Sequence, residues 1–145
     1  MKIPQLSMFM ENKPGRLSDP CRRLAEAGIN IVTLSLADTQ QFGILRLIVR
    51  DWERAKQVLE RAGWVVNVTE VVAVDVADRP GGLAEILKVL DGAGLNVEYL
   101  YAFALRREGK SLLVLRFEDP DRAIEVLDAA GLHGAAAEEL FSHLP

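Results

Sequence analysis

The sequence predicts an α+β protein in which one βαββαβ unit is used twice in tandem, followed by a short C-terminal helix. Three observations carry this reading. The first is a repeat: Asn12-Lys-Pro14-Gly15-Arg-Leu17 returns as Asp78-Arg-Pro80-Gly81-Gly-Leu83, and Leu24-Ala-Glu-Ala27-Gly28-Ile-Asn30-Ile31 returns as Leu90-Asp-Gly-Ala93-Gly94-Leu-Asn96-Val97, both displaced by 66 residues. The second is a later match, Asp51-Trp-Glu-Arg54-Ala55 with Asp119-Pro-Asp-Arg122-Ala123, now displaced by 68. The third is the change of hydrophobic spacing inside each copy, from every second residue to every third or fourth and back. The copies are residues 1–69 and 70–145.

Taken in order, residues 5–11 place Leu6, Met8 and Met10 on one face of a strand, and residues 70–77 do the same with Val72, Val74 and Val76. A Pro-containing turn then opens a helix. Its apolar stripe is Leu17, Cys21 and Leu24 in the first copy and Leu83, Ile86, Leu87 and Leu90 in the second. Gly28 and Gly94 follow, where a helix that ends in a left-handed residue favours glycine. Strands are expected at 30–38 and 43–50, and again at 96–106 and 111–118. The two residues that separate the displacements of 66 and 68 are assigned to the turn, Arg107-Glu-Gly-Lys110 being read as longer than Thr39-Gln-Gln41. Asp51 and Asp119 are plausible N-caps of a second helix carrying Val58 and Leu59, or Val126 and Leu127. Trp64–Val68 is read as the fourth strand of the first copy, and Leu132–Ala135 as a strand stub in the second, with a helix over 136–144. This order is the split βαβ, or ferredoxin-like, arrangement.

Several strands are apolar on both faces, for example Val71-Val-Ala-Val74 and Leu112-Leu-Val-Leu115. A four-stranded sheet with helices on one side alone should alternate more strictly, so either the open faces pack together or a second chain covers them. A unit of about 70 residues has little core to spare, which makes such burial physically reasonable.

Composition narrows the function. The net charge is −4, which provides no overall field for nucleic acid. Residues 1–69 carry 10 basic and 7 acidic side chains, residues 70–145 carry 7 and 14. These opposite halves either favour pairing or reflect unrelated surface drift. No apolar run reaches the roughly 20 residues needed to span a bilayer, and the start of the chain has no signal-peptide pattern, so a cytoplasmic location is expected. The single cysteine, Cys21, forms no internal disulfide and marks no metal site.

A strand ending in Asn/Asp-x-Pro-Gly-x-Leu, then a helix, then Ala-Gly-Ile/Leu-Asn-Ile/Val resembles the ACT domain family, over roughly 3–69 and 70–137. The resemblance implies a regulatory sensor of small molecules, usually amino acids, and implies no cofactor. It also implies that two such units pair side by side through their second strands, with effectors held between the first loop of one and the second strand of the other. Carried onto this chain, one composite site joins Asn12, Lys13, Pro14 and Gly15 to Asn96. The other joins Asp78, Arg79, Pro80 and Gly81 to Asn30. A homodimer and a partner enzyme are the expected associations, with neither nucleic acid nor membrane.

The chemistry suits a free amino acid. A helix start offers N–H donors and partial positive charge to a carboxylate. Asn offers donors and an acceptor together, and Gly15 and Gly81 let a ligand approach the backbone. Asp78 would repel a ligand carboxylate where Asn12 would not, so the Asn12–Asn96 site is the stronger candidate. The same residues also have an ordinary structural reading: Asn12 and Asp78 as helix N-caps, Leu17 and Leu83 as core, Asn30 and Asn96 as turn residues.

Three other functional classes stand beside this one. His133 and His143 lie far in sequence from Cys21, which sits on an apolar stripe as a buried thiol. Asp19, Glu53, Glu85 and Glu125 read as helix-surface carboxylates, and no nucleophile elbow, phosphate loop or zinc spacing occurs, so an enzyme is not expected. Tyr99, Tyr101 and Phe103 share one parity of a strand but lack the basic partners of an RNA-binding sheet. A ligand-independent interaction module, or regulatory subunit of an enzyme, stands as the alternative function.

Overall fold

The computed structural model describes residues 1–134 and 137–142. It contains six strands and five helices among them: β1 (Lys2–Glu11), α1 (Ser18–Glu26), β2 (Ile31–Asp38), β3 (Phe42–Val49), α2 (Trp52–Arg61), β4 (Asn67–Ala77), α3 (Gly82–Gly92), β5 (Tyr99–Arg107), β6 (Lys110–Arg116), α4 (Pro120–Ala129) and α5 (Ala137–Ser142). The order is βαββαβ used twice with a short C-terminal helix. Two compact units result: Pro4–Thr69, and Met1–Ile3 together with Glu70–Pro145.

In the first unit β3 lies between β2 and β1, antiparallel to both. Leu6 faces Leu47, Met8 faces Leu45 and Met10 faces Gly43. These strand residues and Leu24, Ala55 and Leu59 of the helices form one buried cluster, as expected where one strand face and two helix stripes meet. In the second unit β6 lies between β4 and β5. Val72, Val74, Val76, Leu115 and Phe117 close a matching core with Ile86, Leu90, Ala123 and Leu127.

The faces turned away from the helices are buried in part, with Phe9 of β1 left 65% exposed. Gln5, Thr33 and Ile48 are buried in the first unit, and Val71, Ala73, Leu112 and Val114 in the second. Leu140 of α5 is also buried, outside the α3/α4 core.

Three boundaries differ from the expectation. Trp64–Val66 is not a strand; β4 starts at Asn67 and runs unbroken to Ala77. That segment contains neither Gly nor Pro, so nothing in it interrupts an extended backbone. The two extra residues of the second copy do not lengthen its turn. Glu108 and Gly109 form a tight two-residue connection with φ of 45° and 73°, joining the paired Arg107 and Lys110. The register instead shifts between Ala102 and Arg106, which places the insertion in a bulge of β5. Residues 132–134 form no strand, although the Asp75 N–H donates to the His133 carbonyl at 3.3 Å and the Ala73 N–H donates to the Met1 carbonyl at 3.0 Å. Of the helix expected over 136–144, residues 136, 143 and 144 lie outside the described residues, as does His143.

The Asp-x-x-Arg match has a structural cause. Asp51 and Asp119 accept from the N–H groups of Arg54 and Arg122, capping α2 and α4. Each arginine then reaches the C-terminal end of the preceding helix, Arg54 to the Ala27 carbonyl at 2.6 Å and Arg122 to the Ala93 carbonyl at 2.9 Å. One motif thus caps its own helix and satisfies an orphan carbonyl of another.

Candidate functional site

The first loop leaves β1 at Glu11. The Asn12 N–H donates to the Gln41 carbonyl at 2.8 Å, and the Asn12 side-chain amide donates to the Gln40 carbonyl at 3.0 Å. Asn12 therefore pins the loop to the β2–β3 turn and does not cap α1. The N-cap position of α1 belongs to Leu17, which supplies no side-chain bond; the Asp19 N–H turns back to the Gly15 carbonyl at 3.3 Å and Pro20 has no N–H, so the first turn offers an outside acceptor at most the Ser18 N–H. Gly15 takes φ of 85°, and Arg16 N–H closes the turn onto the Lys13 carbonyl at 3.3 Å.

This loop forms one wall of a cleft of about 340 Å³ within the first unit. Asn12, Lys13, Arg16 and Leu17 line it, and Leu36, Asp38 and Gly43 form the far side, with Met10 and Glu11 between. Lys13 Nζ lies 2.9 Å from Glu11 Oε2, and an Arg16 terminal nitrogen lies 3.8 Å from Glu11 Oε1. The Lys13 ammonium, by hydrogen bond and charge and with help from Arg16, holds the Glu11 carboxyl below its usual range. The cleft thus carries two cations, two carboxylates and an apolar floor.

The second loop is built otherwise. Asp78 N–H donates to the Gly109 carbonyl at 3.0 Å, as Asn12 does to its own turn. The N-cap of α3 is Gly81, with φ of 87°, so Asp78 is no more a helix cap than Asn12 is. Arg79 turns to Glu85 on α3, at 2.8 Å. Gly82 stands where the first copy has Arg16, and a Cβ there would collide with the Ala77 carbonyl oxygen. The loop lies against its strand end, where only glycine fits.

All ten residues singled out in the sequence are exposed. Within each unit the structure separates the loop from the asparagine of the same copy. Glu11 pairs with Phe42 at one end of β3, whereas Ile31, next to Asn30, pairs with Val49 at the other. Likewise Ala77 pairs with Lys110, and Tyr99, close after Asn96, pairs with Arg116. Asn96 lines a different cleft, of about 380 Å³, with Glu98, Glu118, Asp119 and Arg122.

Glu11, Arg16, Leu36, Asp38 and Gly43 were missed by sequence reasoning. Arg16 and Glu11 were visible in principle, as the positions where the copies disagree: Gly82 and Ala77 replace them. Leu36 and Asp38 could not be found so, because only the β2–β3 register carries them to the loop. A further contact lies beside the cleft: the Trp64 indole N–H donates to Asp19 at 2.8 Å, and with Arg23 and Arg22 it lowers the Asp19 pKa.

Cys21 is half-buried, and burial pushes its thiol up, away from thiolate. Tyr99 and Tyr101 are half-buried and Phe103 is buried, which is no stacking platform for bases. Among the described residues no group of three or more His, Cys, Asp or Glu is arranged to hold a metal, and no helix is long and apolar enough to cross a membrane.

Two ferredoxin-like units, each with an exposed loop between its first strand and first helix, define a tandem α+β fold, and comparison with known proteins names the family. The chain belongs to the ACT domain pair family, whose profile matches residues 1–143. It is similar to the crystal structure of protein BT0572 from Bacteroides thetaiotaomicron, with 38% identity and a TM-score of 0.89, covering 97% of this chain and 96% of that one. The fold is also that of the ligand-free regulatory subunit of aspartate kinase from Thermus thermophilus, at 18% identity and a TM-score of 0.63, covering 88% of this chain and 91% of that one. Aspartate kinase from Synechocystis matches at 22% identity and a TM-score of 0.59, over 94% of this chain and 27% of that one. No curated protein matches the sequence.

Proposed function

We propose that this protein is a non-catalytic, cytoplasmic regulator that binds a small molecule, an amino acid, at the first loop and passes the signal to a metabolic enzyme. The observation that carries the reading is the cleft beside Asn12–Arg16, where charges of both signs and an apolar floor meet. The likeness in fold to a kinase regulatory subunit supports a role in control of amino acid metabolism.

Association of two copies would complete the site. β2 and β5 are the end strands of their units' sheets. Because Asn96 stands at the end of β5 away from its own loop, antiparallel pairing of β5 from one chain with β2 of another brings Asn96 toward the partner's Asn12–Gly15 loop. The same pairing brings Asn30 toward Asp78, Arg79, Pro80 and Gly81. Leu34 and Leu100, equivalent in the two copies and both more than 40% exposed, would be covered in such a homodimer.

The test is a thermal-shift panel of the twenty standard amino acids, followed by calorimetry on every hit. A ligand of the native state raises the melting temperature with concentration. Asn12→Ala should weaken binding about tenfold, as expected for a hydrogen bond near a charge, and more than Asp78→Ala. Equal losses in both variants would remove the assignment to the first loop.

One observation favours the alternative, a ligand-independent interaction module. Phe9 and Phe42 are 65% and 50% exposed and, with Trp64, line a second hollow of about 200 Å³. No binding of any amino acid, combined with loss of a partner enzyme's co-purification in Phe9→Ser, would select this reading.

A further inference from the structure

We propose that the first-loop cleft takes an α-amino acid with an apolar side chain, and that Glu11 occupies, in the empty protein, the place of the ligand's carboxylate. This deepens the amino-acid reading above and rests on it.

The four charges of the cleft sum to zero and stand in two groups. Lys13 and Arg16 belong to the loop with Glu11, and Asp38 closes the end of β2 opposite. Lys13 makes a close pair with Glu11 at 2.9 Å, but Arg16 stands at 3.8 Å, beyond hydrogen-bonding distance. Its guanidinium therefore has donors free for a second carboxylate, which it can bind through two parallel bonds. A ligand carboxylate arriving there competes with Glu11 for the same cations. The Asp38 carboxylate makes no ion pair or hydrogen bond among the described residues and lines the same space, which suits the ligand's ammonium.

The remaining lining is apolar: Met10, Leu17 and Leu36, with Leu36 49% exposed. Gly43 leaves room, since a Cβ there would press on Leu36 Cδ1 at 3.2 Å. A ligand side chain laid on this floor removes apolar surface from water. A second carboxylate on the ligand would instead meet Glu11 or Asp38.

The experiment is calorimetry on the full chain with L-leucine, L-isoleucine, L-valine and L-methionine, against L-glutamate and L-lysine. Two fragments separate the charges: 3-methylbutylamine lacks the carboxylate and 4-methylpentanoate lacks the ammonium. We expect at least one apolar amino acid to bind, and both fragments of the leucine skeleton to bind at least tenfold more weakly than L-leucine. Arg16→Met and Asp38→Asn should each weaken binding tenfold or more, with Arg16→Gln as the substitute where Arg16→Met does not fold. Glu11→Gln should tighten binding about threefold, because it removes the internal competitor; a merely structural Glu11 would give weaker binding. Binding only of charged or polar amino acids, or no loss in Arg16→Met and Asp38→Asn, overturns the proposal and leaves the amino-acid reading standing. Absence of binding by all twenty amino acids, to wild type and to Glu11→Gln alike, overturns both.

Discussion

Glu11, Lys13 and Arg16 face one another across the first loop, whereas Ala77, Arg79 and Gly82 hold the same three places in the second. The first arrangement sets Lys13 and Arg16 around Glu11 beside an open cleft; the second ties its one cation to Glu85 and folds its glycine under the strand end. Asp19 and Trp64, linked at 2.8 Å in the first copy, correspond to Glu85 and Leu132 in the second, which form no such bond. The helices and their ends, by contrast, are held by the same bonds in both copies. Duplication has thus kept the scaffold and let the loops diverge, as expected where packing constrains the core more than the surface.

Six substitutions would break or sharpen this contrast. The largest effect is expected for Gly82→Ala, whose new Cβ collides with backbone; a loss of about 2 kcal/mol of stability is expected in urea unfolding. Arg16→Ala, at the equivalent position of the open loop, should leave stability within about 0.5 kcal/mol of wild type. Next come Arg54→Met and Arg122→Met, which each remove a charge-assisted bond to a helix-end carbonyl. About 1 kcal/mol should be lost in each, and unequal losses would show that the shared scaffold is not equally used.

Asn12→Asp should cost less, about 0.5 kcal/mol, because the bond to Gln40 is exposed. Faster amide exchange at Asn12 and Gln41 would report the loosened loop. The smallest effect concerns pH. Asp19 is lowered by the Trp64 indole N–H and by Arg23 and Arg22, so its stabilisation is full above its ordinary value near pH 4 and is lost as pH falls through the lowered one. Asp19→Asn should therefore flatten the decline in melting temperature below about pH 4. An unchanged acid limb would remove the Asp19–Trp64 bond as a difference between the copies.

Much of the fold was legible because its signals are local. Helix stripes, the glycines after α1 and α3, and the caps Asp51 and Asp119 depend on neighbours within a few residues. The loop segments were legible too, since the same short pattern occurs twice. The N-cap reading of Asn12 and Asp78 failed because turns of several residues separate them from the helix starts at Ser18 and Gly82. The insertion was misplaced because glycine marks a turn locally, while a bulge shows only when two strands are aligned.

The sequence by itself determined the duplication, the βαββαβ order, the apolar faces and the two exposed loops, all of which follow from spacing along one chain. Only the tertiary structure decided that Asp38 and Leu36 stand across from Arg16, that Arg79 turns to Glu85, and that β4 runs through the boundary between copies. Those outcomes depend on strand register and on which side chains meet across tens of residues, where a shift of one residue turns every side chain to the other face.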